Sequence, residues 1–136
     1  MIYFPFKACG ANLTSSSGAI TSPGYPLTDY ITHYLNGLSC TWLIEPTYAD
    51  IIHINFTVFS LYPDGDEVRV YDGISLDSPY KIYDEWYHSL PFQWVSTGNQ
   101  VMILFTSGES HSSVGFSLTY EGIKGKEVYL QIKLKW

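Results

Sequence analysis

Apolar and polar residues alternate along three segments of the chain, and this pattern predicts three β-strands that each bury one face. The longest segment runs from Ile51 to Leu61, and the others run from Glu67 to Tyr71 and from Gly115 to Tyr120. In the longest segment the apolar face consists of Ile52, Ile54, Phe56 and Val58. Asn55 falls on the opposite, polar face of the same strand, where a glycan would be tolerated.

Two further segments predict strands without a clear alternation. The residues from Gln100 to Phe105 are apolar on both faces, which is typical of a central strand of a sandwich. Cys40 to Ile44 predicts a short strand. Turn-forming residues separate these segments at Ser22–Pro26, Tyr62–Gly65, Asp77–Pro79 and Ser96–Asn99. Because no segment shows a helical period, we expect an all-β fold, either a β-sandwich or a jelly roll.

Length and composition agree with one β-rich domain. The chain has 136 residues, of which 46% are hydrophobic, 17% aromatic and 15% charged. That length fits one ordinary domain, and the hydrophobic content is sufficient to form a core. Many aromatic residues with few charges favour strands over amphipathic helices.

The charge is unevenly distributed along the chain. Between Cys9 and Gly122 there are 12 acidic residues and only two cations, Arg69 and Lys81, which gives this stretch a charge of −10. An acidic body excludes nucleic acid as a partner and favours cationic partners or calcium. No apolar run approaches the roughly 18 residues that a membrane-spanning helix needs.

The cysteines and two sequence triplets indicate a secreted protein. Cys9 and Cys40 form an even pair, which predicts one disulfide, with two free buried thiols as the alternative. A bridge between them would close a loop of about 30 residues and contribute roughly 3–4 kcal/mol. Asn12 and Asn55 each begin a glycosylation sequon, Asn-Leu-Thr and Asn-Phe-Thr. Together these features predict a secreted protein or the extracellular part of a cell-surface protein.

The two ends of the chain differ from the body. Residues 1–8 are apolar but too short for a complete signal peptide, so we interpret them as the remnant of one or as the edge of a fragment. Residues 123–136 carry four lysines. The alternation from Lys126 to Trp136 predicts either an extra edge strand guarded by lysines or a segment appended to the domain.

No catalytic motif stands out. None of the four histidines lies four residues from another, so the helical zinc-protease motif is absent from the sequence. Gly108–Ser112 resembles a nucleophile elbow but lacks the final glycine, and we interpret it as a polar loop. The sequence also contains no glycine-rich phosphate loop. We therefore predict that the chain is not an enzyme.

Several blocks, in order, resemble the CUB domain family. The resemblance runs from Cys9 to about Gly122, which is therefore the predicted domain. The matching blocks are Cys9–Leu13, Gly18–Pro26, Cys40–Trp42, Ile52–Leu61, Asp66–Gly73, Ser96–Asn99, Phe105–Ser107 and Gly115–Tyr120. The resemblance implies a β-sandwich of jelly-roll topology in a secreted or cell-surface protein. It also implies a protein-interaction module without catalytic activity.

Many CUB domains bind calcium at one end of the sandwich. The ion orders acidic loops there, and these loops accept a lysine or arginine of a partner. The resemblance places the family's three acidic ligands at Tyr62, Asp66 and Gly108, so only Asp66 is an acid in this chain. One carboxylate is too few for a tight calcium site, although Asp64, Glu67 and Glu109 are nearby replacements. We therefore expect a degenerate site at Asp66, no saturable calcium binding below about 1 mM, and no other cofactor.

The family's second disulfide is also missing, since its cysteines would lie near residues 63–65 and 83–86. Aromatic residues are dense between residues 80 and 94, namely Tyr80, Tyr83, Trp86, Tyr87 and Trp94. One interpretation is that they fill the space of the lost bridge with buried apolar area. The alternative is a carbohydrate-binding surface, because aromatic rings suit the faces of sugars.

The leading functional hypothesis is a non-catalytic adhesion or receptor-type module that binds a cationic extracellular protein. We predict contact through one acidic end of the sandwich, formed by Tyr62, Asp64, Asp66, Glu67 and Glu109. The acids would pair with lysine or arginine side chains, and Tyr62 would supply apolar contact. The simpler alternative is a solvated acidic loop without a partner.

Overall fold

The computed structural model describes residues 7–25, 34–63, 65–84, 92–108 and 113–125. Within these ranges the chain forms nine β-strands and no helix. The strands are β1 (Lys7–Leu13), β2 (Ser17–Thr21), β3 (Leu38–Ile44), β4 (Ile51–Ser60), β5 (Glu67–Tyr71), β6 (Tyr80–Tyr83), β7 (Phe92–Val95), β8 (Val101–Thr106) and β9 (Gly115–Ile123). The five strands predicted between residues 40 and 120 are all confirmed, whereas the pattern did not predict β1, β2, β6 and β7.

The strands form two sheets, which confirms the predicted CUB-like β-sandwich. The first sheet has five strands in the order β1-β3-β8-β5-β6, and the second has four in the order β2-β9-β4-β7. Every pair is antiparallel except β1 and β3, which run parallel. β8 is the middle strand of the five-stranded sheet, as its apolar sequence predicts.

The core lies between the two sheets and follows the alternation along the strands. In β4 the side chains of Ile52, Ile54 and Phe56 are completely buried. A bulge between Phe56 and Val58 then shifts the pairing of β4 with β9. An extra residue in one strand reverses the faces beyond it. Phe59 is therefore buried, and the prediction that Val58 takes the buried face is wrong.

Aromatic rings fill the core between β4, β6 and β7. The ring of Phe56 stacks on that of Phe92 with centroids 4.5 Å apart, and Tyr83 lies 4.8 Å from Phe92. Phe59 contacts Phe92 edge to face at 5.5 Å. Tyr83 lies in the stretch where the family's second disulfide would attach. Its burial agrees with the interpretation that buried aromatic area occupies that space.

The disulfide between Cys9 and Cys40 is present, which confirms the predicted pairing. The two residues are direct partners across the parallel pair β1 and β3. β1 is an edge strand of its sheet, so the disulfide links this edge strand covalently to the inner strand β3.

The described residues cover only part of the two terminal segments. β1 begins at Lys7 and β9 ends at Ile123, so both strands extend slightly past the domain predicted at residues 9–122. Residues 1–6 and 126–136 lie outside the described ranges, and the edge strand predicted from Lys126 to Trp136 lies there too.

Candidate functional site

The predicted acidic end of the sandwich is where three connecting segments meet. Residues 34–37 precede β3, residues 61–63, 65 and 66 lie between β4 and β5, and residues 107–108 follow β8. The Gly37 N–H donates to the Gly108 carbonyl at 2.9 Å, and the Ser107 N–H donates to the Leu38 carbonyl at 3.0 Å. These bonds hold the first and third segments side by side. We call the three segments the Asp66 end.

Asp66 is the central polar residue of this end. Its side chain is only 2% exposed. One carboxylate oxygen accepts a hydrogen bond from the Tyr34 hydroxyl, and the other accepts one from the Gly108 N–H. A buried carboxylate is tolerated only when its oxygens are hydrogen-bonded, and both oxygens meet that requirement here. Asp66 therefore joins all three segments of the end.

Tyr34 extends this network to the segment before Asp66. The Tyr62 N–H donates to the Tyr34 hydroxyl oxygen at 3.0 Å, while that hydroxyl donates to Asp66. The Tyr34 ring packs edge to face on Phe105 with centroids 5.3 Å apart, which fixes its direction. A chain of hydrogen bonds in which each polarises the next is stronger in a buried site than its separate members.

The pKa of Tyr34 is raised above its usual value, first by burial and then by its hydrogen bond to the Asp66 carboxylate. Both causes disfavour the phenolate, which would be desolvated and would face a negative charge. The Tyr34 hydroxyl therefore keeps its proton at neutral pH and remains a donor to Asp66.

Sequence reasoning identified Asp66 but missed Tyr34. Their positions are separated by 32 residues, and Tyr34 precedes a strand in a segment without periodicity. Tyrosine is also common in this chain, with 12 copies. One indirect indication of such a partner was present in the sequence. Asp66 directly precedes an alternating strand, and an acid that is buried there needs a buried hydrogen-bond donor.

The described residues do not fit a calcium site. Tyr62 and Gly108 bring no carboxylate to the Asp66 end, and among the described residues of its three segments Asp66 alone has a carboxylate side chain. Within the described ranges, no three His, Cys, Asp or Glu side chains come together as metal ligands. Asp64 and Glu109, the predicted replacement ligands, lie outside those ranges.

The remaining predicted contact residues lie closer to the surface. Tyr62 is partly exposed at the Asp66 end. The Glu67 side chain is 26% exposed, and its carboxylate accepts a hydrogen bond from Arg69 Nε at 2.8 Å. Asp66 itself has almost no surface, so it can position a contact surface better than it can touch a partner.

The aromatic segment from residue 80 to 94 divides between core and surface. Tyr83 belongs to the core, as described above. Tyr80 is 51% exposed, and Arg69 lies over its ring at 5.2 Å from the centroid. Tyr80 and Trp94, together with Asp72 and Lys81, help to line a cavity of about 180 Å³ between the two sheet edges. Trp86 and Tyr87 lie outside the described ranges.

The two glycosylation sequons lie on different sheets. Asn12 is exposed on β1, the edge of the five-stranded sheet. Asn55 lies on β4, an inner strand of the four-stranded sheet, and its side chain is partly buried. Its polar face is the outer face of the sandwich, as predicted.

Comparison with known proteins identifies the family. The model of the CUB domain matches residues 9–120, so the chain belongs to the CUB domain family. CUB domains are generally non-catalytic binding modules, and the relatives of this chain are secreted or extracellular proteins. In the part of the chain that the structure describes, no helix has the length and apolarity to span a membrane.

One relative is cubilin from Homo sapiens, which is 34% identical over 130 residues. The match covers 91% of this chain but only 3% of cubilin, so the chain corresponds to a small part of that protein. Among solved structures, the full extracellular region of zebrafish Gpr126/Adgrg6 matches with a TM-score of 0.71 and 27% identity. That match covers 88% of this chain and 15% of the other.

A second solved structure, the MASP-1 CUB2 domain bound to Ca²⁺, matches with a TM-score of 0.63. The match covers 82% of this chain and 97% of that domain, at 21% sequence identity. At this identity the match is evidence for the fold and not for a shared function. The calcium in that structure is a property of that domain and is not carried over to this chain.

Proposed function

We propose that this chain is an extracellular interaction module that binds a cationic protein partner through its Asp66 end. The observation that carries the proposal is the burial of Asp66 with both oxygens hydrogen-bonded to other segments of the end. A carboxylate held in this way fixes three connecting segments relative to one another through its hydrogen bonds. A surface fixed before binding loses less conformational entropy when a partner arrives.

Within this proposal the residues of the end have separate roles. Asp66 is a positioning residue, and Tyr34 holds it in place. The partner would contact Tyr62 and Glu67, together with Asp64 and Glu109, which occupy neighbouring positions in the sequence. A lysine or arginine of the partner would form charge-assisted hydrogen bonds with the carboxylates. The charge of −10 between Cys9 and Gly122 would also attract a cationic partner at a distance.

Carbohydrate binding is the second candidate, supported by the cavity of about 180 Å³ between the sheet edges. Its lining combines two aromatic side chains, Tyr80 and Trp94, with the polar residues Asp72 and Lys81. Typical small-molecule sites enclose about 300 Å³ or more, so this cavity suits one sugar unit at most. A glycan array that stays blank at high protein loading removes this candidate.

A charge reversal tests the contact at the Asp66 end. We expect Glu67→Lys to weaken binding to a partner selected from a panel of purified secreted proteins and receptor ectodomains by about tenfold. The matched control is Asp77→Lys, which makes the same charge change at an exposed position in the β5–β6 loop. That loop follows the far end of β5, so it lies away from Asp66. Affinity is measured by surface plasmon resonance.

The salt dependence of the same interaction gives an independent check. Raising the ionic strength should weaken the wild-type complex, because the proposed contacts are partly solvent-exposed ion pairs. Equal losses in Glu67→Lys and Asp77→Lys would indicate a non-specific charge effect and contradict the proposed site. A partner whose affinity responds to neither reversal would contradict it as well.

A further inference from the structure

The outer face of the four-stranded sheet contains a polar groove. It encloses about 680 Å³ and is open to solvent along one side. Two rows of residues cross the strands there: Ala19 pairs with Thr119 and Thr119 with Asn55, while Ser17 pairs with Glu121 and Glu121 with His53. All six residues line the groove, and Gly18 contributes to its edge. Small residues on β2 leave the space that larger side chains would fill.

Asn55 lies in this groove with an incomplete set of hydrogen bonds. Its Oδ1 atom is buried and has no hydrogen-bond partner. A buried polar atom without a partner is uncommon and costly, and Asn55 Oδ1 is such an unsatisfied acceptor in this groove. Two residues further along the same outer face, the Thr57 hydroxyl donates to the Ser117 carbonyl at 3.3 Å. Asn55 and Thr57 are the first and third residues of the sequon Asn-Phe-Thr.

We propose that Asn55 carries an N-linked glycan and that the first sugar of this glycan lies in the groove. The inference rests on the extracellular location that the proposed function includes. The co-substrate is a lipid-linked oligosaccharide of the secretory pathway. A bond forms between Asn55 Nδ2 and the anomeric carbon, and the bond from that carbon to the lipid diphosphate breaks. The diphosphate leaves with the electron pair, and the amide proton passes to a basic group of the transferase.

The lining of the groove suits a sugar attached at Asn55. The hydroxyls of Ser17 and Thr119 and the carboxylate of Glu121 can bond to sugar hydroxyl or amide groups. The Ala19 methyl offers a small apolar contact on the edge strand β2. The unpaired Oδ1 of Asn55 would gain a donor from the sugar or from water that the sugar holds.

This placement limits where a protein partner can bind. A glycan at Asn55 would cover the outer face of the four-stranded sheet and β2, which is an edge strand among the described residues. The Asp66 end would remain open, because Asn55 pairs with Thr119 and Gln93 in the middle of the sheet. The glycan would also shield an edge strand against pairing with another chain.

The test compares release of the glycan from native and denatured protein. The chain is secreted from cultured animal cells, treated with an N-glycosidase that cleaves at asparagine, and analysed by site-specific mass spectrometry. We expect Asn55 to be occupied and its glycan to be released at least about tenfold more slowly from the native protein, since the linkage is recessed in the groove of the folded sheet and is reached less readily by the enzyme. Any glycan on the exposed Asn12 serves as an internal control and should be released at similar rates in both states.

Thr57→Ser keeps the sequon and should preserve both occupancy and protection, whereas Asn55→Gln should remove the protected glycan. If Asn55→Gln is not secreted, the digestion of the wild-type protein alone decides the question. An unoccupied Asn55, or equal release from native and denatured protein, overturns the proposal. Protection of the Asn12 glycan to the same degree overturns the role of the groove. None of these outcomes depends on Glu67, so failure here is distinct from failure of the partner-binding test.

Discussion

Removing the Cys9–Cys40 disulfide is expected to lower the free energy of unfolding by about 3–4 kcal/mol. The bridge spans a sequence separation of 31 residues, and its loss restores conformational entropy to the unfolded chain. The edge strand β1 would then be held by its pairing with β3 and by the packing of Leu13 against the core. The double variant Cys9→Ala/Cys40→Ala is compared with the oxidised wild type by urea denaturation monitored by tryptophan fluorescence.

Reduced wild-type protein provides the control for this measurement, because it lacks the bridge but keeps both cysteines. The reduced protein and the double variant should unfold at similar urea concentrations. A loss below about 1 kcal/mol in both would contradict the contribution that chain entropy predicts. A loss confined to the double variant would indicate a packing defect at Cys40, which is completely buried.

Asp66→Ala is expected to lower the free energy of unfolding by about 2–4 kcal/mol, because it removes two hydrogen bonds to a charged acceptor. The Tyr34 hydroxyl and the Gly108 N–H would lose their partner at the same time. The exposed Asp77 gives the matched control, for which Asp77→Ala should change stability by no more than about 0.5 kcal/mol. Equal effects of the two variants on urea unfolding would show that the Asp66 network contributes nothing.

A second variant, Tyr34→Phe, adds a pH dependence to the same network. The pKa of Tyr34 is raised in the folded state from a usual value of 10.0, so the folded state holds the proton more tightly than the unfolded chain. The tighter binding of this proton adds to the free energy of unfolding. Its contribution is complete below pH 10 and decreases as the pH rises above 10, by about 1.4 kcal/mol per pH unit. The stability gap between wild type and Tyr34→Phe should therefore narrow above pH 10. A constant gap would contradict the burial of the hydroxyl beside Asp66.

The strands that the sequence predicted are those whose pattern reflects burial. β4, β5 and β9 each have one face in the core, and β8 lies in the middle of its sheet, so their apolar residues follow from their positions. β2 and β6 are edge strands that each have only one buried residue, and therefore they have no comparable pattern. β7 is only four residues long, which is too short for a period to be recognised.

The position of Val58 shows a second limit of pattern reading. The alternation continues through Val58 in the sequence, but the bulge in β4 moves Phe59 into the core instead. A bulge is fixed by pairing with the neighbouring strand, which no single segment encodes. The resemblance to CUB domains was more informative than periodicity here, because it placed Cys9, Cys40 and Asp66 in one fold.

The candidate site was predictable only in part, for the same reason. The resemblance predicted Asp66 as one of the family's three ligand positions, with Tyr62 and Gly108 at the other two. It did not predict that the Tyr34 hydroxyl and the Gly108 N–H would donate hydrogen bonds to the two carboxylate oxygens of Asp66. Those contacts join segments far apart in the sequence, so they appear only when the whole sandwich is assembled.

The central claim is that hydrogen bonds from Tyr34 and Gly108 hold the Asp66 end together without calcium. The most direct test is a thermal melt of the oxidised protein in excess EDTA and again with about 2 mM calcium, near the weak end of extracellular affinities. We expect the same melting temperature in both conditions. A site with a Kd of about 0.1 mM would instead add roughly 1.8 kcal/mol and raise the melting temperature by several degrees. Such a rise would contradict the account, because calcium would then be a ligand that organises this end.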